Sequence, residues 1–196
     1  GYYLGSLALG LRFAVALKRA TGGTVDLMAH PSLKHAGDFV MHLTEPDGGL
    51  YNTGDNPIFW PGGTSYETWD YMSLLAKEKR RGDWARIARM REHVTLERLM
   101  WDDLSLGSFA PSVSDTAKQF PWTGVAAMRS GWDNQATYVG FKSGYAQVGH
   151  AQLDANSYVV TARGERLLVD EGTWPYASLS GYFEYDGPRW DFDNTG

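Results

Sequence analysis

The sequence predicts an α+β protein whose helices and strands are segregated, helices in the first half and strands in the second. Three observations predict it. Apolar residues recur at helical spacing as far as Gly107. Beyond Gly107, short β-branched or aromatic runs bounded by Gly, Asn and Asp take over. The two patterns follow one another instead of alternating, which implies two separate parts rather than one parallel α/β sheet. With 196 residues, 43% hydrophobic and 21% charged, the chain has a globular composition and length for one large domain or two small ones.

The first helix is expected over Leu4–Ala20, apolar on nearly all sides and so packed by neighbours on several faces. Arg12, Lys18 and Arg19 lie toward its C-terminal half, where cations suit the helix dipole, and Gly22-Gly23 stops it. A second helix is expected after Pro31, through His35, Phe39 and Met41 to Leu43, with a turn at Pro46-Asp47-Gly48-Gly49. A loop rich in Gly, Asn, Asp and Pro follows over 52–64. Ser65-Tyr66-Glu67 opens a third helix that ends near Arg80-Arg81-Gly82. A fourth runs from Asp83 to the neighbourhood of Trp101, with Trp84, Ile87, Met90 and Val94 at i, i+3 and i+4 spacings. Ala110 to Asp115 reads as a linker. Strands are expected over 124–129, 136–142, 157–162 and 165–170, with Arg163-Gly164-Glu165 as a hairpin turn. The division that results is a helical part over 1–107, a linker over 108–119 and a sheet part over 120–196.

Composition excludes several classes of function. No apolar run reaches the ~18 residues that span a bilayer. There is no cysteine, so neither disulfides nor thiolate metal sites are available. A net charge of −5 leaves no footprint for nucleic acid, and it requires an acidic ligand to be met by a local basic pocket. Eight Trp and eleven Tyr exceed ordinary usage; such rings either fill cores or stack on carbohydrate faces. The chain opens on Gly1 inside a helical pattern and ends at Asp193-Asn194-Thr195-Gly196 with no element being closed. We therefore expect it to be a segment of a longer protein, with targeting information elsewhere.

The stretch richest in chemistry runs from Val148 to Tyr176. A Gly149-His150 pair precedes Gln152 and Asp154, then come a strand, a turn and a second strand ending in Asp170-Glu171-Gly172. Two strands joined by a tight turn bring their outer ends together, so His150, Gln152 and Asp154 are expected near Asp170. A His beside carboxylates can have its tautomer and pKa set for proton transfer. Composition alone leaves the other reading open, a His in a solvated loop whose Asp residues cap turns. His30, His35 and His42 have a spacing that puts no pair on one helix face, and no metal is assigned to them.

This stretch resembles the signature of the heparinase II/III-like polysaccharide lyases. Gly149, His150, Asp154, Ser157, Tyr158 (for the family's Phe), Gly164, Leu167, Leu168, Asp170 and Gly172 fall in register with it. The run Phe120 to Arg129 is similar to the strand that opens the family's sheet domain. Pro46-Asp47-Gly48 with Asn52-Thr53-Gly54-Asp55 resembles its loop between toroid helices, and Gly1-Tyr2-Tyr3 resembles the end of the segment carrying its catalytic Tyr. The resemblance is tight over 120–176 and loose over 1–105, and alginate or oligoalginate lyases are its nearest flavour. It implies the C-terminal helices of an (α/α) toroid followed by an antiparallel β-sandwich-type sheet domain.

It also implies β-elimination on a uronic-acid polymer or its oligomers. Such a reaction needs the carboxylate charge neutralised, a base for the C5 proton and an acid for the bridging oxygen. By position, His150 matches a catalytic base or carboxylate neutraliser and Tyr2, with Tyr3 beside it, the catalytic Tyr; either Tyr also reads as an aromatic packed at a helix start. Arg129 is a candidate for the substrate carboxylate or else an ion-pairing residue. Tyr182, Tyr185 and Arg189 match substrate-contacting positions. Asp170 matches a ligand of the family's structural zinc, but Gln152 stands where its second His is expected, and Gln is a poor zinc ligand. The family's remaining catalytic His residues would fall outside the chain. A polysaccharide partner implies a periplasmic or secreted protein rather than a cytoplasmic one. Two other functions are open: a catalytically silent glycan-binding protein on the same scaffold, and a glycoside hydrolase working through paired carboxylates.

Overall fold

The computed structural model describes residues 2–51, 67–90, 95–144 and 155–170, with side chains from residue 7 in the first helix and from residue 69 in the third. The chain divides into two units, 1–41 with 64–111 and 42–63 with 112–196. The expected helical part therefore loses the segment from His42 onward to the sheet-bearing unit. That segment carries the Thr44↔Leu50 bridge around the predicted turn, closed by Glu45 N–H to Gly49 O at 2.7 Å.

The first unit is helical. Helix α1 (Tyr2–Ala20) ends in Lys18 and Arg19, and Gly23 N–H caps Lys18 O at 2.7 Å. The helix expected after Pro31 begins as a single 3₁₀ turn, Pro31–Leu33, and becomes α2 only at Ala36–Leu43. Helix α3 covers Glu67–Lys79. The expected fourth helix is two: α4 (Gly82–Arg89) and α5 (Leu96–Trp101). Thr95 explains the new start. Its backbone is extended, and its hydroxyl accepts the Arg98 N–H at 3.0 Å while donating to Asp70 at 2.8 Å.

Trp84, fully buried, organises this unit's core with Trp69, Met72, Leu75 and Ile87. A buried indole must place its N–H, and Nε1 donates to Asp38 at 3.0 Å. The Arg81 guanidinium lies 4.3 Å from the centre of one of its rings and bridges Asp38 and Asp83. These contacts raise the Arg81 pKa, chiefly through its bond to Asp83.

The second unit carries one five-stranded antiparallel sheet among the described residues, in the order β1 (Ala117–Phe120), β2 (Val125–Arg129), β3 (Tyr138–Lys142), β4 (Ser157–Ala162) and β5 (Glu165–Leu168). Four of these strands lie where the sequence places them. Strand β1 falls inside the expected linker, because Ala117, Lys118 and Gln119 are exposed edge residues with no apolar alternation to announce them. The β4–β5 hairpin turns through Arg163 (φ 56°) and Gly164 (φ 79°), two positive φ angles in succession, the signature of a tight type I′ turn.

Register sets the inner face. Arg129 pairs with Tyr138, Tyr138 with Thr161 and Thr161 with Arg166, so four strands contribute one row. The next row holds Ala127, Gly140 and Val159. Segment 42–51 covers this face, and Tyr51 lies so close to Gly140 that a Cβ there would meet its ring at 2.9 Å.

In the first unit, a Cβ on Gly37 would stand 2.5 Å from the Trp84 ring, which packing leaves nowhere to move. Gly37→Ala is expected to destabilise the protein by about 1–3 kcal/mol, the usual cost of overpacking. A thermal melt unchanged by the substitution would contradict this packing.

Candidate functional site at one end of the sheet

The meander sends its connections to two opposite ends. Strand β2 follows the β1–β2 turn at Gly124 and runs from Val125 to Arg129, about 13 Å at the rise of a strand. At the first end, Ser143 follows β3 and Asn156 precedes β4, and Ser143 Oγ donates to Asn156 Oδ1 at 2.8 Å. The connection that contains His150 therefore leaves and returns at one point. The β4–β5 hairpin runs away from this end and comes back to it, so Asp170 emerges there as well. The expectation that His150, Gln152 and Asp154 lie near Asp170 falls on residues 145–154, outside the described ones.

The β1–β2 turn completes this end. Phe120 O accepts from both the N–H (3.1 Å) and the hydroxyl (3.0 Å) of Thr123, and Gly124 N–H reaches Pro121 O at 3.2 Å. Gly124, at φ 65°, donates no space: a Cβ would meet Ser143 O at 2.4 Å and Gly144 Cα at 2.5 Å. Ser143 N–H returns a bond to Gly124 O at 2.6 Å. The turn is locked onto the start of the His150 connection, and at its tip Trp122 is 100% exposed. Sequence reading quoted this segment but assigned Trp122 no role.

Arg129 lies at the other end and faces inward. Its Nη2 donates to the carbonyls of His42 (2.9 Å) and Thr44 (2.7 Å), and its guanidinium sits 3.9 Å from a ring centre of Trp132 and 5.0 Å from that of Tyr138. Burial brings the Arg129 pKa down to about 10, against the pull of Tyr138 and Glu45. Burial likewise pushes the Tyr138 phenol up. Beside them Glu45, 2% exposed, accepts from the Thr161 hydroxyl at 2.5 Å and stands 3.5 Å from Arg166, which also pairs with Asp47 at 3.2 Å. His42, 1% exposed, lies edge-on to Phe120 and Trp132 with Nε2 3.4 Å from Asp115. This network has the chemistry of an anchor: Glu45, His42, Tyr138 and Thr161 are buried, and their charged neighbours Arg166, Asp47 and Asp115 lie at its partly exposed margin.

The other sequence candidates divide as follows. Tyr2 and Tyr3 form the first residues of α1 in the first unit. His150, Gln152, Tyr182, Tyr185 and Arg189 lie outside the described residues. No group of three His, Asp or Glu side chains converges to hold a metal among the described residues. No helix among the described residues is long and apolar enough to cross a membrane.

Comparison with known proteins agrees with this architecture. Residues 113–191 match the family model described as heparinase II/III-like, C-terminal. The chain is similar to the crystal structure of heparan sulfate lyase HepC from Pedobacter heparinus, with a TM-score of 0.64 and 18% identity over 89% of this chain and 25% of that one. It is also similar to heparinase III, with a TM-score of 0.59 and 16% identity over 92% of this chain and 28% of that one. The chain thus spans about a quarter of the length of these solved structures. No curated protein matches it.

Two outcomes test the anchor. Thr161→Val removes the donor to a buried carboxylate and is expected to cost about 1–3 kcal/mol. Glu45 has its pKa raised, first by burial, against the opposing pulls of Thr161 and Arg166. The folded state therefore holds this proton more tightly than the unfolded chain. The Glu45 contribution to stability is complete below the unfolded glutamate range and fades as pH rises through the folded value. In urea unfolding across mildly acidic to neutral pH, Glu45→Gln is expected to flatten that decline; profiles that stay parallel would exclude it.

Proposed function

Taking residues 113–191 as a heparinase II/III-like C-terminal domain, we propose that the protein is the C-terminal part of a polysaccharide lyase that cleaves uronic-acid-containing chains by β-elimination. The observation that carries this reading is the signature from Gly149 to Gly172, read in register with a hairpin that returns Asp170 to the end where the His150 connection begins. On this reading the helices of the first unit belong to an (α/α) toroid and the sheet to a β-sandwich-type domain.

The reaction needs one proton removed and one delivered. A base takes the C5 proton of the uronate, electrons form the C4–C5 double bond, the C4–O bond breaks, and an acid protonates the departing bridging oxygen. His150 is assigned as the base or as the group that neutralises the uronate carboxylate. Tyr2 or Tyr3 is assigned as the acid, since a phenol gives a proton to an alkoxide readily. Tyr182, Tyr185 and Arg189 are assigned to substrate contacts, and no step passes through a metal. The substrate is alginate-like or heparin-like; the names of the similar structures favour the second. Such a polymer is met in the periplasm or outside the cell.

Gln152 favours one other reading. With a His of the paired motif replaced, the scaffold can serve a protein that binds glycan without cutting it.

The test uses the full-length protein with heparan sulfate, alginate and hyaluronan, following the ultraviolet absorbance of the unsaturated product. Activity on at least one polymer is expected, with His150→Ala lowering kcat by roughly 10²–10⁴-fold. Of Tyr2→Phe and Tyr3→Phe, one is expected to do the same. Full activity in His150→Ala would remove the site assignment; binding without any unsaturated product would select the silent glycan-binding protein.

A further inference from the structure

We propose that Ser143 and Asn156 form a positioning pair, whose hydrogen bond closes the neck of the connection carrying His150 and limits the positions open to that imidazole; this rests on the lyase reading above. Strands β3 and β4 end their backbone ladder at Lys142↔Ser157. The next pair outward is Ser143 opposite Asn156. Strand pairing cannot extend to it, because Asn156 has φ 65° and an extended strand needs a negative φ. Side chains make that rung instead, Ser143 Oγ donating to Asn156 Oδ1 at 2.8 Å. Asparagine meets both demands. It is among the few residues besides glycine that enter the left-handed region readily, and it brings an acceptor that glycine lacks.

The neck is itself fixed to the sheet. Ser143 N–H donates to Gly124 O at 2.6 Å, and a Cβ on Gly144 would meet Thr123 O at 2.9 Å. The start of the connection is thus held to the β1–β2 turn through its backbone, and its return is held to its start through side chains. Ser143 and Asn156 are both exposed, so their bond buries no apolar surface and adds little to the core. Its effect falls on the connection. Joining the two ends removes conformations from a loop. An imidazole that transfers a proton needs its geometry set closely, since a displacement of ~1 Å can cost ~10²-fold in rate. His150 lies between the two anchors in sequence, so the pair constrains it from both sides.

The experiment compares wild type with Ser143→Ala, Asn156→Gly, their double variant and Ser143→Thr in the full-length protein. It reads kcat and KM from the unsaturated product, oligosaccharide binding by calorimetry, and Tm. Asn156→Gly keeps the positive φ and removes only the acceptor. Each of the first two is expected to lower kcat about tenfold with Tm unchanged, and the double variant to fall no further, as two halves of one interaction do. Ser143→Thr, which keeps the hydroxyl, is expected to retain most of the activity. In a His150→Ala background, Ser143→Ala is expected to cost nothing more. Unchanged kcat in an active enzyme, or losses that multiply in the double variant, would overturn the pair and leave the lyase reading standing. A fall in Tm that tracks the fall in kcat would overturn it too, by showing that the bond holds the sheet. If wild type binds oligosaccharide without making product, the lyase reading fails; the pair then stands if both variants weaken binding equally and falls if Kd is unchanged. Wild type that neither binds nor cleaves any of these glycans would overturn both.

Discussion

The second unit depends on burying a guanidinium. Arg129 can leave water only because its charge is met by two carbonyls, by the faces of Trp132 and Tyr138 and by the field of Glu45. Those carbonyls belong to His42 and Thr44, so solving the problem of the charge also ties segment 42–51 to the sheet. The same row continues through Thr161 and Arg166, which hold Glu45 and Asp47 of the turn. A strand face that would otherwise be open becomes a packed interior. Remove the Arg and the carbonyls of His42 and Thr44, two aromatic faces and a buried carboxylate all lose a partner together.

That occupied face has a consequence for chemistry. With segment 42–51 packed against it, the inner side is taken up by protein, and the exposed groups are left to the connections at the strand ends. The sheet delivers them unequally. One end is closed over Arg129. The other gathers the β1–β2 turn with Trp122, both ends of the His150 connection, and the exit of β5 at Asp170. Rigid strands position the connections, and the hydrogen-bonded turn at Phe120–Gly124 extends that rigidity to the tip itself.

Much of this was legible residue by residue. The strands from Val125, Tyr138, Ser157 and Glu165 announce themselves through β-branched and aromatic runs, and Arg163-Gly164 through its turn chemistry. The signature around His150 and Asp170 pointed to the same family that residues 113–191 match. Other features were hidden for identifiable reasons. Strand β1 is an exposed edge with polar side chains and takes its structure from pairing with β2. The break between α4 and α5 lies within a continuous apolar period, and Thr95 reveals it only once its hydroxyl is seen bonded to Arg98 and Asp70. The sequence leaves Arg129 open between a substrate carboxylate and an ion pair; its inward direction follows from its register opposite Tyr138. Trp122 carried no spacing signal, because exposure is a property of the assembled surface.

By itself, then, the sequence determined the order of helices and strands, the hairpin at Arg163-Gly164, the lack of thiol chemistry and the family signature. Each is local, set by periodicity, by turn preference or by which side chains exist. The tertiary structure decided that segment 42–51 sides with the sheet, that Arg129 and Glu45 are buried together, and that Trp122 shares an end with the path to His150. These depend on strand register and on paying the desolvation of charges far apart in the chain, 42–51 against 125–166. No window of sequence contains both halves of that interaction.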